Sequence, residues 1–149
     1  MTDREQIEDL MIRYGRSNDT RDPELLRTCV TDDIVALYEP FVGPVRGWEN
    51  FVASWLAGIA PLGGTHHFSN FTFDVDGDVG AYTCLVFAAH WPRDAALSTD
   101  MPLFLTGARY ENDVRRTDDG WRITHIHLMT QWMTGDAGVV GHFRGTDAA

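Results

Sequence analysis

Thr65-His66-His67-Phe68-Ser69-Asn70-Phe71-Thr72-Phe73-Asp74-Val75 is the stretch on which the fold turns. Apolar and polar side chains alternate along much of it, which is the period of a half-buried strand. Asp76-Gly77-Asp78 follows as a tight turn, and Val79 to Trp91 reads as a long apolar strand. After a polar loop over residues 92–100, Met101 to Arg116 and Trp121 to Met133 flank Asp118-Asp119-Gly120, a strong hairpin signal. The C-terminal half is therefore expected to be a meander of long antiparallel strands.

The N-terminal half has a different period. Thr2-Asp3-Arg4-Glu5 fits a capping box, and Ile7, Leu10, Met11 and Tyr14 then recur at helical spacing. Asp19-Thr20-Arg21 ends this helix. Asp22-Pro23 opens a short second one, with Pro at the first helical position. Ile34 to Tyr38 reads as a buried strand, and Gly43-Pro44-Val45-Arg46-Gly47 as a turn region. Trp48 to Ile59 is a third helix with Phe51, Trp55 and Ile59 inward, broken by Pro61-Leu62-Gly63-Gly64.

Three helices followed by a meander is an α+β pattern. One domain over residues 1–149 is expected, its sheet curling around the helices to leave a pocket against the first of them. The tail from Gly135, with three further glycines, is expected to be loosely held.

Composition narrows the function. The 149 residues carry 12 basic and 22 acidic side chains, a net charge of −10. Such a surface repels phosphate backbones and argues against nucleic-acid and anionic-membrane partners. All the basic side chains are Arg; the lack of Lys excludes Schiff-base chemistry on an internal amine. The charged N-terminus lacks the apolar middle of a signal peptide, so a cytoplasmic location is expected. Cys29 and Cys84 are read as reduced, buried small hydrophobes. His125-x-His127 lacks the following Glu and the His-rich loop of a metal site, and no metal or other cofactor is expected.

Strand parity assigns the histidines. His67 shares a face with Phe71, Phe73 and Val75, the more apolar set, so His67 is expected in the pocket and His66 outside it; a bulge near the start would reverse this. On the last strand Ile126, Leu128, Thr130 and Trp132 share one face. His125, His127 and Met129 share the other, assigned to the outside of the sheet.

Taken together, Tyr14 with Asn18-Asp19 and Asp22, Ala36-Leu37-Tyr38, Thr65-His66-His67-Phe68, His90 and Asp119-Gly120-Trp121-Arg122 resemble the SnoaL-like branch of the NTF2-like (cone-fold) superfamily, and within it the scytalone dehydratases. The resemblance covers about residues 4–134. It implies a half-open barrel and places Asp19, Tyr38, His67 and His90 in the pocket as catalytic residues. An Asp–His pair of this kind also occurs in a related dehydrochlorinase. Asn18 stands where the dehydratases have a second tyrosine, and Ala108 and Tyr110 fall near their substrate-contacting serine and asparagine.

The expected chemistry is cofactor-free elimination or isomerisation. Asp19 would fix the tautomer of His67, which takes a proton, while Tyr38 donates to the developing oxyanion and His90, if protonated, serves the leaving hydroxyl. Tyr14, Asn18, Trp48, Trp55, Phe71, Tyr110 and Trp132, with Phe51, Phe87 and Phe104, are expected to line an apolar site for a small hydrophobic, keto- or phenol-bearing molecule. The alternative is a non-catalytic binding or assembly subunit, as in the β subunit of ring-hydroxylating dioxygenases. A homodimer or homotrimer through the outer sheet face is also implied by the resemblance.

Overall fold

The computed structural model describes residues 1–146. Helix α1 spans Asp3–Thr20. Thr2 and Glu5 close the capping box at its start, with the Thr2 N–H 2.6 Å from the Glu5 carboxylate. Ile7, Leu10, Met11 and Tyr14 are buried at its inner face, and Arg21 ends it in the left-handed region at φ 54°. Helix α2, Pro23–Arg27, starts where Asp22 accepts from the Leu25 N–H at 2.9 Å.

Six strands form one sheet: β1 Val30–Glu39, β2 Val42–Arg46, β3 Leu62–Asp76, β4 Val79–Pro92, β5 Phe104–Thr117 and β6 Gly120–Gly135. Their spatial order is β2-β1-β6-β5-β4-β3. Only β1 with β6 is parallel, and the sheet remains open, a half barrel. Helix α3, Trp48–Ile59, joins β2 to β3. Across this α+β layer pair, α1 and α3 cover the concave face with Phe51, Trp55, Tyr82, Val86 and Ile126 in the core.

Two local readings change. The expected turn at Gly43–Gly47 is mostly strand β2; Pro44 is tolerated there because β2 is a sheet edge. The expected helix breaker Leu62-Gly63-Gly64 is the first turn-free part of β3. A Cβ at Gly63 would lie 2.1 Å from Trp91 Nε1, so glycine here admits an indole against the strand.

The C-terminal stretch also differs from expectation. Ala137–Thr146 forms a 3-10 segment whose Val139 and Val140 are buried against Leu62 and Phe104. The last residues of the expected loose tail, 147–149, lie outside the described part. Among the described residues no helix is long and apolar enough to cross a membrane.

Candidate active site

A cavity of about 150 Å³ opens between the concave sheet face and helices α1 and α3. Its wall is mostly apolar, with Phe51, Trp55, Val86, Phe104 and Leu128 contributing. Val140 and Phe143 of the 3-10 segment complete the wall, and Phe143 packs on Phe41 at 5.6 Å between ring centroids. Into this surface project a few polar groups, the pattern of a small-molecule site.

Asp19 stands in the last turn of α1, where the helix passes the start of β3. Its Oδ1 lies 2.6 Å from His66 Nδ1, and its Oδ2 accepts from the His66 backbone N–H at 3.3 Å. Both carboxylate oxygens thus hold one residue, fixing ring and strand together. The His66 side chain is 13% exposed and lines the cavity, while Asp19 borders an outer groove with Glu8, Ile12, Arg16 and His67. The pair therefore bridges interior and solvent.

His90, from β4, sets its ring 5.3 Å from that of His66, nearly perpendicular to it. Burial, then the neighbouring His66, pushes its pKa down to about 4, with Asp19 partly opposing. His90 is therefore neutral at physiological pH. Its Nδ1 and the Thr130 hydroxyl are buried without a hydrogen-bond partner among the described residues, and both residues line the cavity. Polar atoms so placed are available to a ligand.

A third polar group faces them. Tyr14, Tyr38 and Tyr110 all line the cavity, and the Tyr14 and Tyr38 hydroxyls are 2.7 Å apart. Burial first, and neighbouring phenols second, hold the Tyr38 and Tyr110 hydroxyls well above the ordinary tyrosine pKa. They stay protonated and act only as neutral hydrogen-bonding groups. Asn18, a turn beyond Tyr14 on α1, accepts from the Trp55 indole N–H.

The site thus gathers Asp19, His90, Tyr38, Tyr14, Asn18, Trp55 and Tyr110 as expected, but not His67. His67 points outward and is exposed, and His66 takes its place. The cause is a bulge. The β3–β4 register runs Ser69 opposite Leu85 and then Thr72 opposite Thr83, one extra residue on β3, and Asn70 sits at φ 57°. An asparagine accepts this left-handed conformation with little strain, and an inserted residue exchanges the two faces. The signal was present: Phe68 is apolar on one parity and Phe71, Phe73 and Val75 on the other, so the buried face must switch between them.

Four further expected lining residues, Trp132, Phe87, Trp48 and Phe71, lie elsewhere. A second bulge, with Gly107 opposite Trp132 but Ala108 opposite Thr130, turns Trp132 onto the outer face. There it is 44% exposed and packs on Phe87, itself on the outer face and 47% exposed, at 5.6 Å. Gly107 makes room for it, since a Cβ would meet the indole at 1.9 Å. Trp48 lies under the Arg27 guanidinium at 4.6 Å, outside the cavity lining. Phe71 lies just beyond the bulge in the outer groove, stacked on Phe73 at 5.8 Å. His125 and His127 do stand on the outer face, where His127 Nε2 is 2.8 Å from Glu39.

An open sheet packed under helices, with an apolar cavity between the layers, is the architecture of the NTF2-like proteins. Within that class the chain belongs to the SnoaL-like domain family, which matches residues 1–127. It is 26% identical over 144 residues to terrestric acid biosynthesis cluster protein E of Penicillium crustosum, covering 95% of this chain and 91% of that protein. Among solved structures, the Kfla4162 protein from Kribbella flavida is similar at TM-score 0.83 and 25% identity, over 93% of this chain and 97% of that one. A Novosphingobium aromaticivorans protein provisionally named a scytalone dehydratase gives TM-score 0.77 at 24% identity, over 89% and 86% of the two chains. The hexachlorocyclohexane dehydrochlorinase LinA type 2 gives TM-score 0.77 at 20% identity, over 91% and 90%. The last two likenesses speak to the fold. Dehydratases and isomerases are among the members of this superfamily.

Proposed function

We propose that the protein is a cofactor-independent lyase or isomerase in which His66, held by Asp19, is the general base for a small keto- or phenol-bearing molecule. The observation that carries this reading is the 2.6 Å contact between Asp19 Oδ1 and His66 Nδ1 at the cavity wall. With its proton on Nδ1 and donated to Asp19, the ring keeps a lone pair on Nε2. That lone pair makes the ring a general base.

The step follows from the placement of the groups. His66 Nε2 takes a proton from carbon adjacent to a carbonyl. The C–H electron pair becomes the enol(ate) double bond, and charge grows on oxygen, where a Tyr38 O–H donates. For elimination, the enolate electrons reform the carbonyl and make the new C=C bond as the C–O bond at the next carbon breaks. The imidazolium returns its proton to the departing hydroxide, releasing water. For isomerisation, the same imidazolium protonates a different carbon. Neutral His90 has no spare proton to give as an acid, so it is read as a hydrogen-bonding partner for the substrate rather than as the acid expected for it.

Terrestric acid biosynthesis cluster protein E supports this direction by its name, and the dehydrochlorinase by its reaction class. The test is turnover, or solvent-deuterium exchange at the acidic carbon, across a panel of single-ring ketones and phenols. His66→Gln should lower the rate by about 10²–10⁴-fold, while His67→Gln leaves it nearly unchanged. Equal loss in both variants, or loss in His67→Gln alone, contradicts the assignment.

The outer face is proposed as the surface through which copies of the chain associate. Leu85, Phe87 and Trp132 are exposed there, beside the Arg109–Glu111 ion pair at 3.1 Å. A paired acid and base are self-complementary across a two-fold axis.

A further inference from the structure

The floor of the cavity narrows the substrate class, on the reading that His66 is the base. Directly opposed residues of neighbouring strands share a face of the sheet, so the register maps that floor. One row runs His66 on β3, Ala88 on β4 and Thr106 on β5. The next runs Phe68, Val86, Ala108 and Thr130, reaching β6. Apart from Phe68, every one of these residues lines the cavity. Thr130 is the last inward side chain of β6 before the bulge that turns Trp132 outward.

The ends of this floor differ from its middle. At one end stands the His66 imidazole, with the His90 ring 5.3 Å away. In the middle Ala88 and Ala108 offer only methyl groups. At the other end stand two hydroxyls, those of Thr106 and Thr130. Thr130 Oγ1 is buried without a hydrogen-bond partner among the described residues, and Thr106 is 8% exposed. An unpaired hydroxyl in an apolar wall costs stability, so packing alone does not account for it. The two threonines are diagonal neighbours across β5 and β6, about 7–8 Å apart, a spacing that one ligand oxygen between their hydroxyls can bridge. Among the described residues no Arg lines the cavity, so a carboxylate would enter unneutralised. A neutral hydroxyl or carbonyl fits instead, because a Thr hydroxyl both donates and accepts.

The span sets the rest. His66 and Thr106 are two interstrand steps apart, about 10 Å at about 4.8 Å per step. One six-membered ring on the alanines, with an oxygen at its far edge and a hydrogen bond of about 2.8 Å beyond, fills that gap. A cavity of about 150 Å³ is the size that holds one such ring.

We propose that Thr106 and Thr130 form a substrate-binding hydroxyl pair, and that the substrate is a neutral single-ring molecule with a hydroxyl or carbonyl oxygen on the edge opposite the carbon that faces His66. This oxygen is distinct from the one Tyr38 serves. Anchoring it selects which ring carbon is delivered to His66 Nε2, so the pair determines specificity and takes no part in proton transfer.

The probes are phenol and 1,4-dihydroxybenzene, bound to the intact protein under nitrogen and followed by calorimetry. In the second probe one hydroxyl takes the place of the reacting carbon against His66, and the other reaches the threonines. The wild-type protein should bind it about tenfold or more tighter than phenol. 1,2-Dihydroxybenzene, whose oxygens share one edge, should gain about twofold or less. Thr106→Val together with Thr130→Val removes both hydroxyls and keeps the branched shape. The advantage of the 1,4 isomer should then fall to about twofold, the statistical gain of two equivalent hydroxyls. Thr130→Ser should retain most of it. Thr130→Val alone should lower the same ratio in part, and it serves if the double variant does not fold.

A structural threonine behaves differently. Thr130→Val should leave the urea midpoint unchanged or raise it, because an unpaired buried hydroxyl is removed. A lowered midpoint with an unchanged binding ratio overturns the proposal. So does a wild-type ratio near two, an equal gain for the 1,2 isomer, or an advantage that survives the double variant. The two readings fail separately. Turnover through His66 without a threonine-dependent advantage removes the hydroxyl pair alone; a threonine-dependent advantage without turnover of any ring ketone removes the lyase or isomerase reading alone.

Discussion

Replacing His90 by Gln should change how stability depends on pH. The buried imidazole has its pKa pushed down to about 4, chiefly by burial and next by His66, against an unfolded value near 6.5. The folded state therefore binds this proton less readily than the unfolded chain. Stability contributed by the neutral ring is complete above about pH 6.5 and is lost as pH falls toward about 4. Between about pH 7 and about pH 5 the loss amounts to roughly 2 kcal/mol, from 1.36 kcal/mol per unit over the part of the window crossed. Urea unfolding at those two values measures it, as the shift in midpoint multiplied by the slope. Asp3, Glu5 and Asp33, whose carboxyls are held low by hydrogen bonds from Arg116 and Trp121, Thr2, and Arg115, titrate below this window. They also cancel between wild type and variant. His90→Gln should flatten the profile by most of the 2 kcal/mol, within the roughly 2 kcal/mol expected for the ring. A variant with the same pH dependence as wild type would mean that His90 is solvated or charged in the native state, and the neutral role given to it would fall.

Two other perturbations test the geometry. Asn70→Val places a β-branched residue at φ 57°, and should cost about 1–2 kcal/mol in urea unfolding, whereas Asn70→Gly should cost less than about 1 kcal/mol; equal costs would remove the bulge. Trp132→Arg on the outer face should lower the mass seen by light scattering toward a single chain while leaving phenol binding in place; an unchanged mass would remove that face as the contact between copies.

Much of the fold was legible because its signals are local and repeated. Ile7, Leu10, Met11 and Tyr14 are buried on α1 as their spacing requires, and the Thr2–Glu5 box closes where the sequence places it. The meander was readable from Gly77 and Gly120, which take the positive φ their turns need. Side-chain direction was less legible, because parity is carried forward along a strand and one inserted residue inverts everything beyond it. Asn70 inverted β3 between the histidines and Phe71, and the irregularity near Gln131 inverted Trp132. The carboxylate end of the pair, Asp19, sits on a helix whose phase is robust, at the last turn of α1 where the sequence ends that helix. Which of two adjacent histidines it meets depended on a single backbone conformation about four residues away, roughly 13 Å of extended chain at about 3.3 Å each. The phenol cluster was only partly visible: Tyr14, Tyr38 and Tyr110 lie on three elements, and nothing in their spacing along the chain joins their hydroxyls.

The central assignment is a base at His66 made ready by Asp19, and long-range proton–nitrogen NMR of the histidine rings reads it directly. In neutral solution His66 should carry its proton on Nδ1 with a bare Nε2, and Asp19→Asn should shift that balance, while the ring signals of the exposed His67 stay the same in both proteins. A proton found on Nε2 of His66, or a His66 spectrum indifferent to Asp19→Asn, would contradict it.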